Sequence, residues 1–126
     1  MLVAIAIAVG GSAGALARYG ADRLIEHRLF TVFPWSTFAV NVSGCLVAGA
    51  VVAALVDRHH APDWLRAGLV VGFLGAYTTF STFAQETHDL FVGGHVLLGL
   101  ANVAGSVTCG VAAVVTGAMV GRALGG

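Results

Sequence analysis

Lysine is absent from this 126-residue chain, and charge of either sign is scarce: Asp, Glu and Arg together make up 10% of the residues and leave a formal net charge of zero. A soluble domain carries about a quarter charged residues, so this poverty excludes an ordinary water-facing surface. Six arginines without one lysine form no basic patch, which argues against nucleic acid as a partner. Cysteine is limited to Cys45 and Cys109, both in apolar surroundings. They imply no disulfide framework and read as small buried hydrophobes. No basic segment precedes the first apolar run, because Arg18 follows it; the N-terminus therefore reads as a first span rather than a secretory signal. The sequence has no glycine-rich phosphate loop, zinc-ligand pattern or nucleophile constellation, so no enzyme is expected. His59 and His60 form no metal pattern with either cysteine and belong to a solvated connector.

What is present is apolar. Hydrophobic residues reach 58% and the mean hydropathy is +0.92. Charge is missing from Met1 to Ala17, Leu29 to Val56, Ala67 to Gln85 and Phe91 to Gly121. Each run is near or above the roughly 18 residues that indicate a membrane-spanning helix. The fold class that follows is an all-α membrane protein, one domain over residues 1–126, with four transmembrane helices.

The first span covers Leu2 to about Leu24, followed by a polar stretch ending at Arg28. Pro34-Trp35 opens the second, which runs to about Val56; proline suits a helix's first turn and tryptophan the membrane interface. Asp57 to Asp63 makes a polar connector, Trp64 anchors the third span, and that span reaches about Phe83. Glu86-Thr87-His88-Asp89 reads as the next polar break, with the fourth span from about Val92 to Val120. Glycine pairs four apart at Gly10/Gly14, Gly68/Gly72 and Gly117/Gly121 suit close helix packing in lipid, where little hydrophobic drive acts between helices. Four helices this small scarcely surround a polar path, so the chain is expected to assemble with further copies. Arginine is nearly balanced: Arg58, Arg66 and Arg122 fall on one side, Arg23 and Arg28 on the other, with Arg18 near that end. The positive-inside rule then gives almost no preferred orientation. A chain without bias can insert both ways, and two opposed copies make an inverted-repeat assembly.

The third span carries Gly72-Phe73-Leu74-Gly75-Ala76-Tyr77-Thr78-Thr79-Phe80-Ser81-Thr82-Phe83. Glycine and clustered β-branched hydroxyl residues make a poor helix interior. Two readings stand open: a break within Gly75–Thr79 near mid-membrane, or a continuous helix whose hydroxyls bond back to their own carbonyls. A break would free carbonyls that lipid cannot satisfy. Asn41 lies deep in the second span, where an amide needs partners, either across helices or in a polar path. Phe80 and Phe83 share a helix face and on spacing alone suit a core. Asn102 and Ser106 also lie one turn apart.

These stretches resemble the Fluc (CrcB) family of fluoride channels. Residues 72–83 look like its third-helix signature, Gly10 to Tyr19 like its first-helix motif, and Pro34 to Gly44 like its second-helix motif. Ser36 stands where the family pattern has glycine, and the fourth span offers Asn102 and Ser106, then Gly110, where the family carries a hydroxyl track. The resemblance implies an antiparallel, dual-topology homodimer in the cell (inner) membrane, with two fluoride pores along the subunit interface. It implies one structural sodium ion at the third-helix break, held by the backbone carbonyls of Gly75 and Thr78. It assigns Asn41, Phe80, Phe83, Ser81, Thr82, Asn102 and Ser106 to the fluoride pore, and Arg18 and Glu86 to a vestibule.

The expected function is passive export of toxic cytoplasmic fluoride. The alternative is a small dual-topology exporter of lipophilic cations, which needs a carboxylate inside a span. All six acids, Asp22, Glu26, Asp57, Asp63, Glu86 and Asp89, read as span ends or connectors, which counts against it. A non-transporting assembly subunit would need neither the broken helix nor Asn41.

Overall fold

Helix α1, Leu2–Glu26, meets no proline and no charge until Arg18, and nothing in it interrupts the ladder. At 1.5 Å per residue it is about 37 Å long, enough to cross a bilayer. Its polar end lies two residues beyond the expected boundary. The computed structural model describes residues 1–56 and 61–124; Asp57, Arg58, His59 and His60 of the second connector lie outside the described residues.

Pro34 sets the start of α2, Trp35–Val51, whose last turns widen into a π-helical segment, Val52–Val56. Phe33, Trp35 and Phe38 interlock at this end, with ring centroids 4.6 to 6.0 Å apart. The third crossing is composite. It runs through α3, Asp63–Arg66, π-helical Ala67–Leu74 and the short α4, Gly75–Tyr77; it is then interrupted and resumes as α5, Phe80–Val92. The last helix, α6, covers Val96–Leu124. Four segments are long and apolar enough to cross a membrane, and the described residues contain no strand. The chain is thus an all-α, multi-pass membrane protein.

Two boundaries differ from expectation. Glu86, Thr87, His88 and Asp89 are not a break but part of the second and third turns of α5. Their polar side chains find partners without leaving the helix: Thr37 donates to Glu86, Asn102 donates to Thr87, and Gln85 donates to Asp89. The real turn is Gly93-Gly94-His95, where Gly94 has φ +82°, a conformation that glycine adopts without strain. Helix α6 therefore starts four residues later than the apolar run suggested. The two cysteines are free, but Cys45 is only half-buried and Cys109 is exposed on this subunit, so neither is the buried hydrophobe expected.

Small residues fix the packing. An added Cβ on Gly10 or Gly14 would lie 2.1 Å from the carbonyl oxygens of Gly68 and Phe73, so α1 and the first half of the third crossing touch backbone to backbone. Gly49, Gly117 and Gly121 bring α2 and α6 equally close. The expected pairs Gly10/Gly14, Gly68/Gly72 and Gly117/Gly121 all lie at such contacts. The buried apolar core is slight among the described residues: Val40, Ala53, Leu74, Leu90 and Ala113.

Candidate functional site

The site is organised by the interruption of the third crossing. Thr78 (φ −81°, ψ 158°) and Thr79 (φ −148°, ψ 116°) are both extended, so the helix stops and restarts within two residues. Of the two readings of the sequence, the broken helix is the one observed, at the far end of the expected Gly75–Thr79 stretch.

Every break must account for its backbone groups. The Thr78 N–H still reaches Leu74 O at 3.0 Å. The Thr79 N–H is accepted by Asn41 Oδ1 at 2.8 Å, and Asn41 Nδ2 donates to Thr79 O at 3.0 Å. The Asn41 amide thus pairs with the Thr79 peptide as a neighbouring strand would. Thr79 then caps α5: its Oγ1 accepts the Thr82 N–H at 3.2 Å and donates to Thr82 Oγ1 at 3.0 Å. The carbonyl of Thr78 accepts from Arg18 Nη1 at 3.4 Å. Arg18 was expected near the membrane interface; its guanidinium instead reaches in to the break.

An open cleft of about 270 Å³ lies beside this point, lined by Asn41, Thr78, Thr79, Phe80, Phe83 and Ser106, with Cys45 and Val107 completing it. Four expected pore residues therefore share one space. Phe80 and Phe83 sit 5.6 Å apart between centroids with a 43° tilt, and Phe80 is 80% exposed on the single subunit. The start of α5 contributes Phe80, so the positive end of that helix's dipole lies next to the cleft.

Other expected residues lie off the cleft lining. The hydroxyls of Ser81 and Thr82 are tied to Thr79 Oγ1, at 3.4 and 3.0 Å. Asn102 is 1% exposed; its amide donates to Thr87 Oγ1 at 2.9 Å and its Oδ1 accepts from Ser106 Oγ at 3.4 Å. It stands behind Ser106 rather than beside it. Glu86 lies further toward the α1–α2 connector, in a second cleft of about 330 Å³ that also takes Glu26, Ser36, Asp89 and His95. Thr37 Oγ1 donates to Glu86 Oε1 at 2.9 Å, while Oε2 is buried without a hydrogen-bond partner among the described residues. Ser36 donates to Asp22 at the same end. Among the described residues no group of three or more His, Cys, Asp or Glu side chains is placed to hold a metal ion.

Two contributors escaped the sequence reading. Thr79 is both cap and peptide partner, and Thr37, one turn before Asn41, holds Glu86. The i, i+4 spacing of Thr37 and Asn41 was the available signal.

Comparison with known proteins agrees with this architecture. A family model described as "CrcB-like protein, Camphor Resistance (CrcB)" matches residues 5–118. A protein of Solibacter usitatus named "Fluoride-specific ion channel FluC" is 48% identical over 116 residues, covering 92% of this chain and 95% of the relative. Proteins with the same name from Rhizobium etli (strain CIAT 652) and Paracoccus denitrificans are 40% and 42% identical, covering 98% and 94% of this chain and 99% and 93% of their own lengths. A match along nearly the whole chain, with the interrupted third crossing in place, makes this protein a member of the CrcB family.

Proposed function

We propose that the chain is a passive, fluoride-selective channel that lets cytoplasmic fluoride leave the cell. The observation that carries this reading is the cleft at the helix break, where an amide, a hydroxyl and two phenyl rings meet without any carboxylate. Fluoride only accepts hydrogen bonds, and Asn41 Nδ2 has two hydrogens. One goes to Thr79 O, which leaves the other for an anion in the cleft. The rings of Phe80 and Phe83 offer their positive edges. Neither kind of group carries a full charge, so binding stays weak enough for release. Ser106 lines the same cleft with its hydroxyl hydrogen donated to Asn102 Oδ1, so it serves the anion only when it turns away from that amide; Ser81 and Thr82 continue the polar surface along α5. Arg18 and the dipole of α5 bias the path toward anions. A cation exporter needs a carboxylate inside a span on its path; contrary to the sequence expectation Glu86 does lie within the third crossing, but it lies in the other cleft and accepts from Thr37.

The working unit is an antiparallel homodimer of oppositely inserted copies. The balance of arginine supports it, as does the exposure of Phe80 on a lone subunit. A structural sodium ion fits at the break. In an unbroken helix Gly75 O would accept the Thr79 N–H and Thr78 O the Thr82 N–H. Both donors are diverted, to Asn41 Oδ1 and to Thr79 Oγ1. The break leaves the last four carbonyls before it, those of residues 75–78, without their i+4 donors; the family resemblance points to those of Gly75 and Thr78, of which Thr78 O also accepts from Arg18 Nη1, and carbonyl oxygens suit a hard alkali cation. Bound there, the ion would add positive potential beside both paths.

Bilayer recording is the test. With sodium fluoride on one side, and on the other sodium chloride containing a small known amount of fluoride, the current should reverse near the fluoride equilibrium potential; reversal near zero would refute selectivity.

A further inference from the structure

We propose that Asn41 is a positioning residue for the cation site: its amide holds the Thr79 N–H away from Gly75 O, so one side chain serves both the anion cleft and the cation ligands. This inference rests on the sodium reading above and deepens it.

A helix break in a membrane is unstable against its own repair, because every freed N–H has a carbonyl waiting one turn back. At this break the four N–H groups of residues 79–82 lack their i−4 carbonyls, and side chains hold two of them, those of Thr79 and Thr82. Return of the Thr79 N–H to Gly75 O would extend α4 by one bond. Return of the Thr82 N–H to Thr78 O would extend α5 backward. The first is blocked by Asn41 Oδ1 at 2.8 Å, the second by Thr79 Oγ1 at 3.2 Å. Asn41 holds Thr79 at both ends, since its Nδ2 also donates to Thr79 O at 3.0 Å. The bond to the Thr79 N–H holds the 78–79 peptide and so the extended ψ of Thr78, and the bond to Thr79 O holds the 79–80 peptide that follows. The position of Asn41 is in turn fixed by α2, where Gly44 sits so close to the break that an added Cβ would lie 2.3 Å from Thr78 Cγ2. The amide that faces the cleft is thus the one that keeps Gly75 O free.

The two hydrogen bonds have separable roles. Accepting from the Thr79 N–H is what leaves Gly75 O open. Donating to Thr79 O orients the peptide that follows. An aspartate at position 41 retains the first and loses the second; a leucine loses both.

The test is the sodium dependence of thermal unfolding of the purified full-length protein in detergent, with N-methylglucamine as the replacement cation. In the wild type, sodium should raise the unfolding midpoint with a saturable dependence. Asn41→Leu should raise the half-saturating sodium concentration about tenfold or more, the size expected when one ligand is recaptured by a competing hydrogen bond. Asn41→Asp should not raise the half-saturating concentration, and its negative charge beside the ion should lower it, even though its fluoride path is blocked. A general loss of stability would lower the midpoint equally in both cations and leave this dependence alone. Wild-type half-saturation in Asn41→Leu would overturn the inference while the sodium site stands. A wild type indifferent to sodium would overturn both. If Asn41→Leu does not fold, Thr79→Val against Thr79→Ser decides on the second donor. The valine variant should weaken sodium binding and the serine variant keep it, and equal sodium dependence in the two would overturn the scheme.

Discussion

Replacing Gly14 by alanine adds one methyl group to α1, and the structure specifies what that group meets. Its Cβ would lie 2.1 Å from the carbonyl oxygen of Phe73 and 3.0 Å from Phe73 Cα, whereas ordinary contact begins at 3.4 Å. The obstacle is backbone, so no rotamer change relieves it, and α1 must retreat from the third crossing by more than 1 Å. Overpacking of this kind costs about 1–3 kcal/mol. Arg18 follows Gly14 by one turn, and its bond to Thr78 O is already long at 3.4 Å. Retreat of α1 breaks that bond, so Gly14→Ala should lower fluoride efflux as well as stability. Gly20 is the control on the same helix: no atom of the subunit outside its own surroundings lies within 4 Å of its Cβ position. Gly20→Ala should be neutral or stabilising by up to about 1 kcal/mol, the usual helical preference of alanine over glycine. Thermal unfolding in detergent and efflux from liposomes measure both. Equal stability of Gly14→Ala and Gly20→Ala would refute the packing argument.

Phe80→Ile keeps bulk but removes the ring edge; an edge contact of about 1 kcal/mol corresponds to roughly fivefold in rate, and wild-type efflux would remove Phe80 from the path. Asn41→Asp should abolish efflux in a folded protein, because an acceptor replaces the donor that faces the anion; efflux at the wild-type rate would contradict that role. Asn102→Leu removes the amide behind Ser106. Interhelical hydrogen bonds in membranes average about 0.6 kcal/mol, so the fold should survive while the Ser106 hydroxyl hydrogen, released from Asn102 Oδ1, becomes available to the anion and efflux rises; unchanged efflux would leave Asn102 as a link between α5 and α6. A reporter fused to the C-terminus should be detected on both sides of the membrane, and lysines added to one connector should bias it to one side; signal from a single side in the wild type would refute dual insertion.

The four crossings were legible because charge is excluded from lipid and its gaps are long. The break was half legible. Poor helix formers marked residues 75–79, but propensity alone did not decide between an interruption and back-bonded hydroxyls. What decided it is tertiary: Asn41, far away in sequence, supplies both partners that the Thr79 peptide needs. The end of the third crossing was misread for the same reason in reverse. Polar residues at 86–89 looked like a connector, yet Thr37 and Asn102 satisfy two of them inside the bundle, and the turn falls to Gly93-Gly94 instead. The site residues fell into place unevenly. Asn41, Phe80, Phe83 and Ser106 share one cleft, as residues spaced along facing helices can. Arg18 was placed near a span end and assigned to a vestibule, and a long side chain there can turn either way; only the freed carbonyl of Thr78 draws it inward. The π-helical turns at Val52–Val56 and Ala67–Leu74 have no sequence mark that was read.

The most direct measurement is anion efflux from liposomes that contain the pure protein, loaded with potassium fluoride or potassium chloride, with and without a potassium ionophore. A passive fluoride channel moves net charge, so fluoride should leave rapidly only once the ionophore provides a path for potassium, and chloride should stay inside under the same conditions. Equal efflux of the two anions, or fluoride efflux that ignores the ionophore and requires an imposed proton gradient, would contradict the account.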